Sequence, residues 1–244
     1  MEVHQHSHKQ KKKWTHYFWE FLMLFLAVFC GFLAEYQLEH KIEKDREKVY
    51  MQNLFEDLKT DATVYDSYEK NSVMICDLID TLVTLIKNSG GKQQVSKLAY
   101  TARMITAKYR QINPTERTYE QMKSSGHLRL IRKDRVANSV LHYYNSLKEL
   151  SNINEISVLW ISDYVRAMGK VFDGAVLFKI LKEEKEQPAD ASVLLTEDRM
   201  IINELITSVQ YFYGALKVAK LRVQESSVAA RNLAELIKKE YHLQ

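Results

Sequence analysis

The sequence predicts an all-α protein, in which an N-terminal transmembrane helix continues into an antiparallel bundle of about four long helices. Three observations carry this. Only 7 Gly and 2 Pro occur in 244 residues, and long stretches contain neither, which favours long helices over a turn-rich sheet. Apolar residues recur in steps of three and four over tens of residues, the coiled-coil-like spacing of a one-sided helix. And "FLMLFLAVFCGFLA", Phe21 to Ala34, carries no charge on any face.

That apolar stretch alone is short for a span, at about 14 residues, and has the length of a signal-peptide core. Its flanks lengthen it. From Tyr17 to Leu38 it covers about 22 residues, roughly 33 Å of helix, enough to cross a bilayer. Trp14, Tyr17, Trp19 and Tyr36 suit the two interfaces, and Glu20 and Glu35 fall near the headgroups, where a charge costs least. His16, one turn before Glu20, suits an ion pair with it. Export cleavage after Ala34 would need a small residue where Phe32 stands, and lipoprotein processing at Cys30 would need one in place of Phe29. The expectation is therefore a retained anchor over residues 14–38.

Orientation follows from the flanking charge. Lys9, Lys11, Lys12 and Lys13 precede the span, whereas "EHKIEKDREK" after it mixes both signs. Residues 1–13 are expected to form a cytoplasmic basic and His-rich tail, and residues 39–244 an extracytoplasmic helical bundle. Within the span, Ala27 and Gly31 are four apart, as are Cys30 and Ala34. Small residues at that spacing let two helices approach closely, so these four positions are the candidate face for a homo-oligomer.

The first bundle helix is read from Met51, Leu54, Leu58, Asp61, Tyr65, Tyr68, Ser72, Ile75, Ile79, Leu82 and Ile86, with Gly90 and Gly91 ending it. Residues 39–48 form a polar neck ahead of it. A shorter helix over about 95–109 turns Leu98, Ala102 and Ile105 inward, and Pro114 closes it. Thr118 with Gln121 has capping-box spacing and is expected to open a brief helix that Gly126 ends in a left-handed cap. Asp134 opens a third helix along Val140, Tyr143, Leu147, Leu150, Ile153, Ser157, Ile161, Tyr164 and Met168. Gly169, Gly174 and Pro188 are expected to bound a looser segment. The last helix is read from near Thr196, with Glu197 and Asp198 in its opening turn, and runs along Ile202, Leu205, Val209, Phe212, Leu216, Ala219, Val223, Ala230, Leu233 and Ile237.

Chemistry is sparse. There is no phosphate loop, dinucleotide fingerprint, HExxH or CxxC, so no catalytic residue, cofactor or metal is expected. The alternating His4, His6 and His8 suit either a chelating tail or a disordered basic one. A net charge of +4, from 35 basic and 31 acidic side chains, argues against nucleic acid as a partner. Asp57 and Asp61 share a helix, and Asp61 occupies a stripe position where an apolar residue belongs. A buried carboxylate that fixes register is expected there, ahead of a metal ligand. Cys76 reads as a small residue on a packing face. Arg129, Arg132, Lys133 and Arg135 form the densest basic group, either a solvated helix start or a contact for anionic lipid or polymer.

"YFWEFLMLFLAVFCGFLAE" after a lysine run, "REKVYMQNLFEDLKTD", and "TYEQMKSSGHLRLI" followed by "VLHYYNSL" together resemble an uncharacterised family of small single-span membrane proteins of Bacteroidetes. The resemblance covers most of the chain and implies a bacterial inner-membrane protein with a periplasmic helical domain. Two functions are carried forward. The first is a non-enzymatic envelope scaffold or sensor, with the lipid bilayer, a second copy and an unidentified envelope protein as partners. The second is a ligand-binding domain whose pocket lies near residues 123–132, lined by Lys123, Ser124, Ser125, Gly126 and Arg129.

Overall fold

The computed structural model describes residues 14–88, 92–185 and 193–243. Among them are six α-helices: α1 (Trp14–Lys87), α2 (Lys92–Lys108), α3 (Arg117–Ser124), α4 (Asp134–Val171), α5 (Gly174–Glu183) and α6 (Arg199–Tyr241), with a 3-10 turn at His127–Leu130. The chain divides into two compact units, Met1–Val49 and Tyr50–Gln244. The protein is all-α, as its stripes require.

In the first unit, residues 14–41 are almost wholly exposed, and α1 opens with an apolar window of mean hydropathy 2.0, none of it buried. It is long and apolar enough to cross a membrane. The His16 ring lies 3.1 Å from Glu20, the expected pair, and Phe21, Phe25 and Phe29 stack along one face at 6.3 and 5.9 Å. Residues 1–13, including the three tail histidines, lie outside the described residues, as do Gly90, Gly91 and Pro188.

The second unit is a bundle in which the long helices α1 and α4 both run antiparallel to α6. Contacts of α4 with α6 run antiparallel, from Glu149 with Arg222, through Trp160 stacked on Tyr211 at 4.7 Å, to Lys170 with Glu204. α1 meets α6 the same way, through Asp66 with Arg231 and Glu69 with Lys220. Stripe residues fill the centre: every α1 stripe position from Met51 to Leu82 is buried, as is every α6 position named above from Leu205 to Ile237. Cys76 is partly buried against the same core.

The second place in the bundle is filled in two pieces. α2 packs Leu98, Ala102 and Ile105 inward, and then the chain leaves helical geometry from Tyr109 to Glu116 before α3 resumes it. A non-helical segment beside helices has no helical partners for its backbone groups, so other groups must supply them.

Three local expectations are corrected. α3 has no side-chain cap, because the Thr118 hydroxyl is spent on Asp57 rather than on a capping box with Gln121. The segment after Gly169 is not loose: Gly169 lies inside α4, and Asp173 caps α5, accepting from the amides of Ala175 and Val176 at 2.8 and 3.1 Å. The last helix starts at Arg199, not near Thr196. Asp198 caps it, and Thr196 Oγ1 accepts from the Asp198 amide at 3.0 Å. The expected left-handed glycine is present, since Gly126 has φ +69°.

Candidate functional site: side chains that hold a non-helical segment in the bundle

Asp57 and Asp61 sit one turn apart on α1, which puts both on the face turned to the 109–118 segment. Both are buried. Asp61 Oδ1 accepts the Thr115 amide at 2.6 Å, and Oδ2 accepts the Tyr143 hydroxyl at 2.7 Å. With its proton directed at Asp61, the Tyr143 oxygen accepts from Tyr65, 2.8 Å away. Asp57 Oδ2 accepts the Thr118 amide at 3.2 Å and its hydroxyl at 2.5 Å, while Oδ1 pairs with Arg117 at 2.5 Å.

Two asparagines extend the same service. Asn154 on α4 takes the Ile112 amide on its side-chain oxygen at 3.3 Å and donates to the Ile112 carbonyl at 2.6 Å, reproducing the pairing of a strand neighbour. Asn71 on α1 donates to the Lys108 carbonyl at 3.0 Å, where α2 ends. Side chains of α1 and α4 thus satisfy backbone groups of the non-helical segment, around its one buried residue, Ile112.

Burial raises the Asp61 carboxyl above its ordinary value, outweighing the lowering by the Tyr143 hydroxyl and the Thr115 amide, with Asp57 adding a smaller rise. Burial likewise pushes the Tyr65 and Tyr143 hydroxyls up, and Tyr68 to about 12, so all three remain proton donors. Among the described residues no cluster of three or more His, Cys, Asp or Glu side chains is placed to hold a metal ion. Both carboxylates face N–H and O–H donors, an arrangement that fixes backbone and register.

Asp61 was legible from its place in the stripe, and Asp57 from its neighbourhood. Asn71 and Asn154 carried no signal, because a polar residue on a helix reads as solvated until its non-helical neighbour is known.

The span residues Ala27, Cys30, Gly31 and Ala34 are exposed on α1, and nothing lies within 4 Å of a Cβ built on Gly31. Lys123, Ser124, Ser125, Gly126 and Arg129 are brought together at the α3 end and are exposed. The Lys123 ammonium bonds Glu120 at 2.9 Å, and Ser125 Oγ donates to the Gln121 carbonyl at 2.8 Å, so both act locally. A concavity of about 670 Å³ lies elsewhere, at the opposite end of the bundle, between Leu85, Val95, Leu98, Leu205 and Ile206, with Arg199 among its polar neighbours.

Comparison with protein-family models, curated proteins and solved structures finds no match to this chain.

Proposed function

We propose that the protein is a membrane-anchored, non-enzymatic scaffold or sensor of a bacterial envelope. Residues 14–38 cross the inner membrane once, with the N-terminus in the cytoplasm and the bundle in the periplasm. The helical surface of the bundle engages a second copy or another envelope protein, and the family resemblance in the sequence agrees with this setting. One observation carries the reading: the two buried carboxylates, where a helical bundle could build a reactive or metal-binding centre, are committed to Thr115, Thr118, Arg117 and Tyr143. What remains for interaction is surface.

A second reading, a periplasmic ligand-binding domain, is favoured by the 670 Å³ concavity, a volume that suits a small molecule. Native mass spectrometry of the full chain released from lipid separates the two. A protein adduct or defined oligomer supports the scaffold. A bound small molecule displaced by Leu98→Trp, which fills the concavity, supports the ligand-binding domain and contradicts the scaffold.

A further inference from the structure

We infer that ordered water fills a polar layer in the middle of the bundle, bridging the hydroxyls of Ser72, Tyr109 and Ser157. The layer lies where the core divides. One cluster of buried side chains runs along α1 as far as Tyr68 and the other begins at Ile75; on α4 the break falls between Leu150 and Tyr164, and beside them between Ile105 and Ile112. Ser72, Ser157 and Tyr109 stand in those three breaks.

Ser72 and Ser157 hold stripe positions where an apolar side chain would pack, and each is 1% exposed. Their hydroxyl oxygens and that of Tyr109 are buried, with no hydrogen-bond partner in the protein. Other serines of these helices, Ser146 and Ser162 on α4 and Ser208 on α6, donate to a carbonyl one turn back, a bond that Ser72 and Ser157 forgo. Their hydroxyls are aimed elsewhere. Native structures rarely leave a buried polar group unsatisfied, and here three share a layer.

The hydroxyls are near one another without bonding. Burial raises the Tyr109 hydroxyl and Ser157 lowers it; burial raises Tyr68 to about 12, with Ser72 lowering it and Tyr109 raising it further. Ser157 thus faces Tyr109, and Ser72 adjoins it through Tyr68, across gaps that no direct hydrogen bond closes. A bridging molecule closes them. No charged side chain acts on Tyr109, so nothing there would balance an ion, whereas each hydroxyl offers both a donor and an acceptor. Water is the smallest neutral molecule that meets both, and a buried water takes two to four polar partners.

The test is hydroxyl-radical labelling of the full chain in detergent. A pulse of X-rays makes radicals from water where it stands, so bound water marks the side chains around it. Phe212 is fully buried and its ring meets Tyr109 edge-on at 5.3 Å, so it should be oxidised, whereas Phe172 and Tyr164, equally buried in the same cluster, should not. Exposed Tyr211 reports the dose. Ser72→Ala, Tyr109→Phe and Ser157→Ala together should bring Phe212 down to the Phe172 level. An unmodified Phe212 in the native chain, or labelling unchanged in the triple variant, overturns the water. Equal oxidation of Phe172 and Tyr164 would assign the labelling to opening of the core, and overturns it too. The sign of a stability change gives a second readout. Tyr109→Phe alone should lower the folded-to-unfolded ratio about five-fold, the worth of one hydrogen bond, because a bonded hydroxyl is lost. In a dry layer the same change removes an orphan, so an unchanged or raised ratio overturns the proposal.

Discussion

Thr115 gives its backbone N–H to Asp61 across 54 positions of sequence, at 2.6 Å, and the carboxylate that receives it is fully buried. That contact explains why a charge stands in an apolar stripe. Removing the acceptor leaves the part-buried Thr115 amide without it, while the Tyr143 hydroxyl keeps Tyr65. Asp61→Ala is expected to cost about 1–3 kcal/mol relative to Asp61→Asn at neutral pH, because Asn keeps an acceptor for Thr115. Chemical denaturation of the full chain in detergent measures it; equal stability of the two variants would remove the contact from the account.

The same carboxylate has a pH signature. Its pKa is raised on folding, so its contribution to stability is fully present below the ordinary value of 3.8 and is lost as pH rises through the raised folded value. Asp61→Asn does not titrate. The stability of the Asn variant relative to the native chain should grow as pH rises from about 4 and level off above the folded pKa. A difference that is flat with pH would mean that burial does not dominate at Asp61.

Gly126 has φ +69° and nothing within 4 Å of a built Cβ, so the cost of a side chain there is one of backbone conformation alone. Gly126→Val should lose roughly 1 kcal/mol or more. An unchanged melting temperature would show that the chain does not need the left-handed turn.

In lipid, spans that associate through Ala27 and Gly31 should separate when Gly31→Leu pushes the two backbones apart, whereas Leu22→Ala should change little. Cross-linking yield through Cys30 reads the result. Equal dimer in Gly31→Leu would move any self-association to the bundle.

Much of the fold was legible because stripes report burial directly: Met51 to Leu82 and Leu205 to Ile237 are buried as their spacing required. Local punctuation was less reliable. Thr118 and Gln121 have the spacing of a capping box, but Asp57 competes for the same hydroxyl and wins from 61 positions away. Gly169 reads as a breaker, yet it lies on the exposed side of α4, where glycine costs about 1 kcal/mol and the buried Met168 and Val171 on either side outweigh it. The polar residues that hold the 109–118 segment were half visible. A carboxylate in an apolar stripe announces itself, whereas Asn71 and Asn154 acquire their meaning from a backbone that only the tertiary fold places beside them.

The measurement that bears most directly on the proposed role is the location of the C-terminus in a chain that stays in the membrane. A reporter fused after Gln244, of a kind active only outside the cytoplasm, should be active in the membrane fraction, with residues 1–13 still attached. An inactive reporter on a chain retained in the membrane fraction would contradict the orientation. A soluble mature chain beginning near Glu35 would contradict the anchor, and with it the membrane-anchored scaffold.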